Sequence, residues 1–198
     1  MQPFKFDIRN LPFAGTVTRW HSVNCHRYPS IAEHSALVAL YAREIAARVH
    51  PDLSAEQQVT LYELALTHDL SEIVTGDMPS PIKRALKAHF KGTQSPIDTL
   101  ERAICPDAAR LEDEAKQPEQ AYLYRILKLA DILDALVVIN QEGKGTAREA
   151  ISKERGQAFD ELVAQASKEF PELNWAGAQE VRSLVCELKH VQLDEFNA

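Results

Sequence analysis

Cysteine is scarce in this sequence, and long uncharged apolar runs are missing from it. The three cysteines, Cys25, Cys105 and Cys186, are odd in number, far apart and not arranged as C-x-x-C. This spacing indicates neither a disulfide framework nor a zinc ribbon, and it fits a reducing compartment. The most apolar stretch, 126–139, contains charged residues and is too short to cross a membrane. Because residues 1–10 do not resemble a signal peptide either, we expect a cytoplasmic protein with no membrane partner.

Glycine is also rare, at 7 of 198 residues, and few segments have the alternating pattern of a strand. Helical signals recur instead. Ser30 and Glu33 form a capping-box pattern that opens a helix, and Ser54 and Gln57 form a second one. Further helices are predicted over 81–91, from 95 to 106, from 118 to about 141, from the turn at 143–146 to 170, and over 176–191. Seven or more helices with short connections predict a single all-α domain.

Positive charge is in deficit, since 22 Lys and Arg face 29 Asp and Glu, for a net charge of −7. Binding to nucleic acid depends on neutralising phosphates, so we expect no nucleic-acid polymer as a partner. A small anion remains possible because a local basic pocket can lie within an acidic protein. The G-K-G-T stretch at 143–146 lacks both the preceding strand and the full pattern of a P-loop.

Three polar residues fall on the apolar sides of predicted helices. His34, His68 and Asp131 each lie in helical register with Leu, Ile or Val residues, and Asp69 follows His68 directly. A lone inward-facing histidine is most often a core residue hydrogen-bonded to the backbone. A buried carboxylate, however, is costly unless it is paired or bound to a metal. Histidine and carboxylate together suit a divalent transition metal, so the group favours a metal site.

The motifs around these residues resemble the HD-domain phosphohydrolases, and within them the 5′-deoxynucleotidases of the YfbR type. The match is dense over about 17–84 and resumes around 127–136. The ordered set is far more specific than the histidine–aspartate pair alone. Its members are R-W at 19–20, E-H-S at 33–35, H-D-L-S-E at 68–72, T-G-D-M-P at 75–79 and K-L-A-D at 128–131.

The resemblance implies a single all-α HD domain over 1–198. Its metal-site core covers about 17–140, and its C-terminal helices at 144–196 serve packing and interfaces. The resemblance also implies one divalent transition metal (cobalt, zinc, manganese or iron). The implied ligands are His34, His68, Asp69 and Asp131, of which Asp69 also counts as a catalytic residue.

The same resemblance implies roles for residues outside the ligand set. Glu72 is the expected acid/base residue near the attacking water, and Arg19 is expected to bind a substrate phosphate. Trp20 and Asp77 are expected to line the nucleoside pocket. Taken alone, Trp20 is equally well explained as a packed loop aromatic, and Asp77 as the N-cap of a helix before Pro79.

A basic stretch follows the T-G-D-M-P motif. Residues 78–97 contain no acidic residue but include Lys83, Arg84, Lys87 and Lys91. The three lysines recur every four residues and therefore share one helical face. Such runs are often solvated helix faces. The alternative is a clamp for a polyphosphate tail, which carries about four negative charges and benefits from additional cations.

The basic stretch favours the DatZ-type phage branch of the family, whose members are dATP triphosphohydrolases. We therefore expect an enzyme that binds purine deoxynucleotides and hydrolyses dATP to deoxyadenosine and triphosphate. The alternative is a 5′-deoxymononucleotidase that releases phosphate from dNMPs. A non-catalytic nucleotide-binding module is the second alternative, which the complete set of ligands and acid/base residue disfavours. The resemblance further implies a homo-oligomer (a dimer or a larger ring), located in the host cytoplasm if a phage encodes it.

Overall fold

The computed structural model describes residues 5–90 and 95–186. Within these ranges a 3-10 helix is followed by nine α-helices. The 3-10 helix spans Ile8–Gly15, and the α-helices are α1 (Ile31–Val49), α2 (Ala55–Thr67), α3 (Glu72–Thr75), α4 (Ser80–His89), α5 (Pro96–Ile104), α6 (Pro106–Ala115), α7 (Ala121–Glu142), α8 (Gly145–Glu169) and α9 (Ala176–Cys186).

Both predicted capping boxes are formed. The Ser30 hydroxyl accepts a hydrogen bond from the Glu33 backbone N–H, and the Glu33 carboxylate accepts one from the Ser30 N–H. Ser54 and Gln57 make the equivalent pair at the start of α2. Each box satisfies two backbone donors that a helix start leaves open, which fixes where α1 and α2 begin.

Two helices were not expected from the sequence. The first, α3, is a single turn. The second, α6, begins at Pro106, which the sequence pattern marked only as the end of the preceding helix. Proline both ends α5 and fits the first turn of α6, where its missing N–H costs nothing. Lys91 and the predicted extension of the last helix over 187–191 lie outside the described residues.

Helix α7 is the centre of the core. It packs against α1 and α8, while α1 also packs against α2 and α9. Because α7 is surrounded by other helices, it is apolar on most of its circumference. In the described part of the chain, no helix has both the length and the apolarity that a membrane crossing needs. The largest fully buried side chains of α7 are Leu123, Ile126, Leu127, Leu129, Leu133 and Ile139.

The loop between the 3-10 helix and α1 carries Arg19 and Trp20. It is tied at one end to the start of α1 and at the other to the turn between α7 and α8. The Arg27 side chain adds ion pairs with carboxylates at the same two places. These ties hold the loop over one end of the α1–α7 pair. The contacts concerned are the β-bridges of Thr18 with Ser30 and of Cys25 with Gly143, and the ion pairs of Arg27 with Glu33 and Glu142.

Candidate metal centre and active-site cleft

The four predicted metal ligands lie together. His34 comes from α1, His68 caps the end of α2, Asp69 follows it, and Asp131 comes from α7. The His34 Nε2 atom lies 3.1 Å from His68 Nε2, 3.3 Å from an Asp69 oxygen and 3.6 Å from an Asp131 oxygen. Ligand atoms of His34, His68 and Asp131 all fall within 4.8 Å of one another. Three separate parts of the chain therefore aim nitrogen and oxygen donors at one point.

The ring of His68 shows how this donor set fits a cation. Its Nδ1 atom lies 2.8 Å from the Ala65 carbonyl oxygen. A carbonyl only accepts hydrogen bonds, so Nδ1 carries the proton and Nε2 presents a lone pair to the site. Burial lowers the pKa of His68, which keeps this ring neutral at pH 7. A neutral imidazole facing carboxylates is the ligand chemistry of zinc and other first-row divalent ions.

The charged groups of the cluster hold one another in their ionised forms. Burial alone would raise the pKa of Asp69, but the attraction of the basic groups around it, of which Arg19 is permanently charged, holds that pKa well below its usual value. Burial also opposes the charge of Asp131, yet Lys128, whose ammonium lies 2.8 Å away, keeps its pKa low. Both carboxylates are therefore available as anionic ligands at neutral pH.

Glu72 behaves differently from these aspartates. Its side chain is almost fully buried, one turn beyond Asp69. Burial and the charge of Asp69 raise the pKa of Glu72 to about 8, although Lys83 donates a hydrogen bond to it at 2.7 Å. Its Oε2 atom has no hydrogen-bond partner among the described residues. A carboxyl group that titrates near neutrality in a cleft suits general acid/base chemistry.

Arg19, which the resemblance leads us to expect on a substrate phosphate, lies against the ligand cluster. Its Nη1 atom donates a hydrogen bond to Asp69 at 2.5 Å. Burial works against its charge, but Asp69 and Asp131 more than compensate and raise its pKa above the usual value. The guanidinium is thus a permanent cation beside the metal cluster, with further donors in its fork for an anionic ligand.

Trp20 and Asp77 form one local structure. Trp20 has a φ of +66°, and the Asp77 carboxylate accepts a hydrogen bond from its backbone N–H at 3.2 Å. Gly76, at a φ of +80°, turns the chain so that Asp77 reaches this position. The interpretation of Asp77 as a helix N-cap is wrong, because Pro79 is the N-cap of α4 and no side chain caps it. Asp77 instead stabilises the unusual backbone that presents the indole.

A cleft of about 260 Å³ connects these groups. It runs from the ligand cluster, past Glu72 and Lys83, to the loop that carries Trp20. One of its walls belongs to α8, which the sequence assigned to packing and interfaces. No sequence pattern predicted this wall, because α8 carries no recognised motif and meets the cleft through tertiary packing. The residues that α8 contributes are Ile151, Glu154 and Arg155.

A second cavity, of about 490 Å³, adjoins the first on the side of α4, α5 and α6. Asp69, Lys83 and Lys128 line both cavities, so the two meet at the ligand cluster. Lys87 lies in the second cavity, where its ammonium is 3.1 Å from Asp98. The remaining cations on its wall are Arg102 and Lys116.

The lysines of α4 are not simply solvated. Lys83 is three-quarters buried and bridges Glu72 at 2.7 Å and Glu101 at 3.0 Å. Its contact with Glu72 links the basic stretch directly to the predicted acid/base residue. Lys83 and Lys87 do lie on one face of the helix, as the four-residue spacing predicted.

A carboxylate that the sequence analysis overlooked lies behind the cluster. Asp134 of α7 is 2% exposed, and its Oδ2 atom is 2.6 Å from His34 Nδ1. Its position one turn after Asp131, within an apolar helix, was the available signal. Helical register and the K-L-A-D motif both drew attention to Asp131, and neither singled out Asp134.

A family model described as 5′-deoxynucleotidase YfbR-like matches residues 11–174. The chain belongs to this family. The resemblance drawn from the motifs is thereby confirmed, and all the predicted site residues lie inside the matched range.

Individual relatives agree with this assignment. The chain is 28% identical over 182 residues to a dATP triphosphohydrolase of Acinetobacter phage SH-Ab 15497, with 86% of each protein covered. It is also 28% identical over 194 residues to a 5′-deoxynucleotidase of Yersinia pestis (strain Pestoides F), covering 91% of this chain and 93% of the relative.

A solved structure supports the fold. The HD phosphohydrolase DatZ of cyanophage S-2L, bound to dA and one catalytic Zn²⁺ ion, superposes with a TM-score of 0.70 at 22% identity. The match covers 91% of this chain and 99% of that one. The prediction of an all-α HD-domain fold is confirmed.

Proposed function

We propose that this protein is a metal-dependent phosphohydrolase of purine 2′-deoxynucleotides that splits dATP into deoxyadenosine and triphosphate. The observation that carries the proposal is the meeting of two cavities at one cluster of nitrogen and carboxylate donors. Arg19 and Glu72 flank that cluster. The curated relatives named a dATP triphosphohydrolase and a 5′-deoxynucleotidase support the substrate class.

The proposed metal ligands are His34, His68, Asp69 and Asp131. When bound there, a divalent ion supplies Lewis acidity, which polarises a phosphoryl oxygen and makes water more acidic. Zinc is the metal named with DatZ, and it suits two imidazoles and two carboxylates. Cobalt, manganese and iron suit the same ligand set, so metal analysis of the purified protein is the measurement that distinguishes them.

Glu72 is the proposed acid/base residue. Because its pKa is raised to about 8, both its protonated and ionised forms are accessible near neutral pH. It can therefore take a proton from the attacking water and return one to the departing oxygen. Lys83 donates a hydrogen bond to the Oε1 atom of Glu72, while the Oε2 atom, which has no hydrogen-bond partner in the described part of the chain, can take that proton.

Arg19 and Trp20 are proposed to hold the substrate. The guanidinium of Arg19 can bind a substrate phosphate through its other N–H groups. That phosphate lies close to Asp69, which accepts a hydrogen bond from Arg19 Nη1. The indole of Trp20 offers a stacking face for the base, and its backbone is held by Asp77. The phosphate and the base of the nucleotide are thereby held at two separate points, and the phosphoester bond to be cleaved lies at the ligand cluster.

The second cavity favours a triphosphate over a monophosphate. It begins at Lys83 and Lys128 and continues past Lys87, which gives a polyphosphate tail both room and cations. A specific observation favours the alternative mononucleotidase: Lys83 and Lys87 already have carboxylate partners, Glu101 and Asp98, which reduce the net positive charge. Under either alternative the ligand cluster, Glu72 and Arg19 keep the same roles.

Product analysis tests the proposal. The purified protein is incubated with dATP or with dAMP, with zinc or cobalt added, and the products are separated by chromatography. We expect deoxyadenosine and inorganic triphosphate from dATP. If only dAMP is consumed, with release of phosphate, the mononucleotidase alternative is correct.

Asp69→Ala is the matched control for this assay. We expect it to lose both metal and activity while retaining the helical circular-dichroism spectrum, because Asp69 lies in the turn after α2 and not within a helix. Substantial hydrolysis by a metal-free Asp69→Ala protein would contradict the mechanism.

The proposal also includes a homo-oligomeric state, a cytoplasmic location and no nucleic-acid partner. Family likeness supports the first, and the scattered cysteines and acidic net charge support the other two. Light scattering of the purified protein at several concentrations tests the oligomeric state.

A further inference from the structure

The carboxylate of Asp134 occupies a buried position directly behind His34. Both residues are almost completely buried, at 2% and 0% exposure. The Asp134 Oδ2 atom lies 2.6 Å from His34 Nδ1, on the opposite side of the ring from the Nε2 atom that faces the ligand cluster. Among the described residues, Asp134 is therefore linked to the cluster through the imidazole of His34.

The surroundings of Asp134 do not explain it as a stabilising residue. Its other oxygen, Oδ1, is buried without a hydrogen-bond partner among the described residues. Removing a carboxylate from water costs several kcal/mol, and one hydrogen bond does not repay that cost. Its neighbours on α7, Leu133 and Ala135, are ordinary core residues. A charged residue kept at such a core position indicates a role other than packing.

We propose that Asp134 is the positioning residue of the metal site, acting through His34. A carboxylate accepts hydrogen bonds, so it fixes the His34 tautomer with the proton on Nδ1 and the lone pair of Nε2 on the cluster. It also holds the plane of the ring and makes Nε2 a stronger electron donor. This inference rests on the proposed metal site and extends it beyond the four ligands.

The two histidines of the site differ in this respect. The Nδ1 atom of His68 faces a neutral acceptor, the Ala65 carbonyl, at 2.8 Å. The Nδ1 atom of His34 faces an anion at 2.6 Å. A charge-assisted hydrogen bond is roughly twice as strong as a neutral one, so Asp134 makes His34 the more basic and more rigidly held ligand.

Zinc affinity measured by chelator competition tests this role. We expect Asp134→Asn to weaken zinc binding by about 10-fold, since the amide oxygen still accepts from Nδ1 but carries no charge. We expect Asp134→Ala to weaken it by up to about 100-fold, the upper end of the effect seen for such outer partners. We expect Asp134→Asn also to lower the melting temperature of the metal-free protein, because it removes a carboxylate that raises the pKa of His34. The readout that decides is therefore zinc affinity. A structural role would instead lower the melting temperature of the metal-free protein without changing zinc affinity.

Two controls make the result specific. Asp160→Asn removes a half-exposed carboxylate of α8 that pairs with Arg182, and it should leave zinc affinity unchanged. In a His34→Ala background, Asp134→Asn should have no further effect, because the two residues act as one unit. Equal zinc affinity in the parent and in both Asp134 variants would overturn the inference. So would a loss of zinc affinity on Asp134→Asn in the His34→Ala background. If the parent binds none of zinc, cobalt, manganese and iron, the proposed function fails instead.

Discussion

At the scale of single residues, the candidate site contains acids whose pKa values move in opposite directions. Asp69 and Asp131 are held ionised by neighbouring cations, while burial and the charge of Asp69 raise the pKa of Glu72 to about 8. His34 is buried, which lowers its pKa, but the hydrogen bonds with Asp134 and Asp69 outweigh this and raise it to about 9. One cluster thus holds both anionic ligands and groups that exchange protons near neutrality.

These shifts predict that the metal-free protein loses stability as the pH rises from about 4.5 to 9. A group whose pKa is higher in the folded than in the unfolded state stabilises the fold below its unfolded pKa, and this contribution disappears as the pH passes the folded value. For His34 these values are 6.5 and about 9, and for Glu72 they are 4.5 and about 8. Urea unfolding in the presence of a chelator, at several pH values, measures the fall.

Glu72→Gln provides the comparison for this experiment. Glutamine has no proton to lose, so the variant should show a shallower loss of stability between pH 4.5 and 8 than the parent protein. Identical slopes for the two proteins would show that the buried carboxyl of Glu72 is not responsible.

The residue scale also shows where sequence reasoning worked and where it stopped. Helical register correctly turned His34, His68 and Asp131 inward, because one face of each helix is fixed by its apolar residues. Register could not reveal that Lys83 bridges Glu72 and Glu101, since that contact joins three helices. Register also did not distinguish Asp134 from the core residues of α7, because its hydrogen-bond partner, His34, lies one hundred positions away in the chain.

At the scale of helices, α4 carries the prediction about phosphate number. Lys87→Ala should raise the KM for dATP several-fold more than the KM for dAMP, because Lys87 lines the second cavity and lies apart from Glu72. Arg84→Ala is the matched control, because it removes another cation of the same helix. Arg84 pairs with Glu154, and Arg84 itself lines neither cavity. Steady-state kinetics with both substrates measures the difference.

Combining Lys87→Ala with Lys83→Ala should also lower kcat, since Lys83 holds the acid/base residue. If Lys87→Ala raises both KM values equally, the second cavity does not hold a polyphosphate tail.

Replacing a helical glycine by alanine should have opposite effects on stability at two positions. A Cβ atom on Gly177 of α9 would lie 2.5 Å from the Arg48 Cβ atom and 2.9 Å from its backbone, so Gly177→Ala should destabilise the fold by about 1–3 kcal/mol. A Cβ atom on Gly156 of α8 meets nothing within 4 Å, so Gly156→Ala should stabilise it by about 0.4–1 kcal/mol. Thermal unfolding of the two variants checks the signs. A destabilised Gly156→Ala protein would show that the surroundings of Gly156 do not accommodate a methyl group.

Helix starts were predictable because capping boxes are local signals, and α1 and α2 begin where the sequence placed them. The wall that α8 contributes to the cleft was not predictable. Which face of α8 meets the cleft is decided by its packing against α7, and that packing depends on side chains far apart in the sequence.

At the scale of the whole molecule, the ligand cluster joins distant parts of the chain: α1, the end of α2, and α7. A metal that binds only the folded protein should therefore stabilise the entire fold. At zinc concentrations 100 times its dissociation constant the expected gain is about 2.7 kcal/mol. Each kcal/mol shifts the melting temperature by roughly 2–4 °C in a domain of this size. Melting curves with zinc and with a chelator measure the gain, and Asp69→Ala should show none. A parent protein that melts at the same temperature with and without zinc would contradict the predicted metal site.

The attachment of α4 has a consequence for how the molecule moves. None of the ten residues of α4 is buried, and the helix is tied to its neighbours by ion pairs of Lys83, Arg84 and Lys87. The ion pairs of Arg84 and Lys87 are exposed, so each contributes little and salt screens it over about 8 Å at physiological ionic strength, whereas Lys83 is mostly buried. The amide hydrogens of α4 should therefore exchange with deuterium far faster than those of α7, and faster still as salt is added. Since Lys83 of α4 lines both cavities, ionic strength would change the mobility of a wall that the two cavities share.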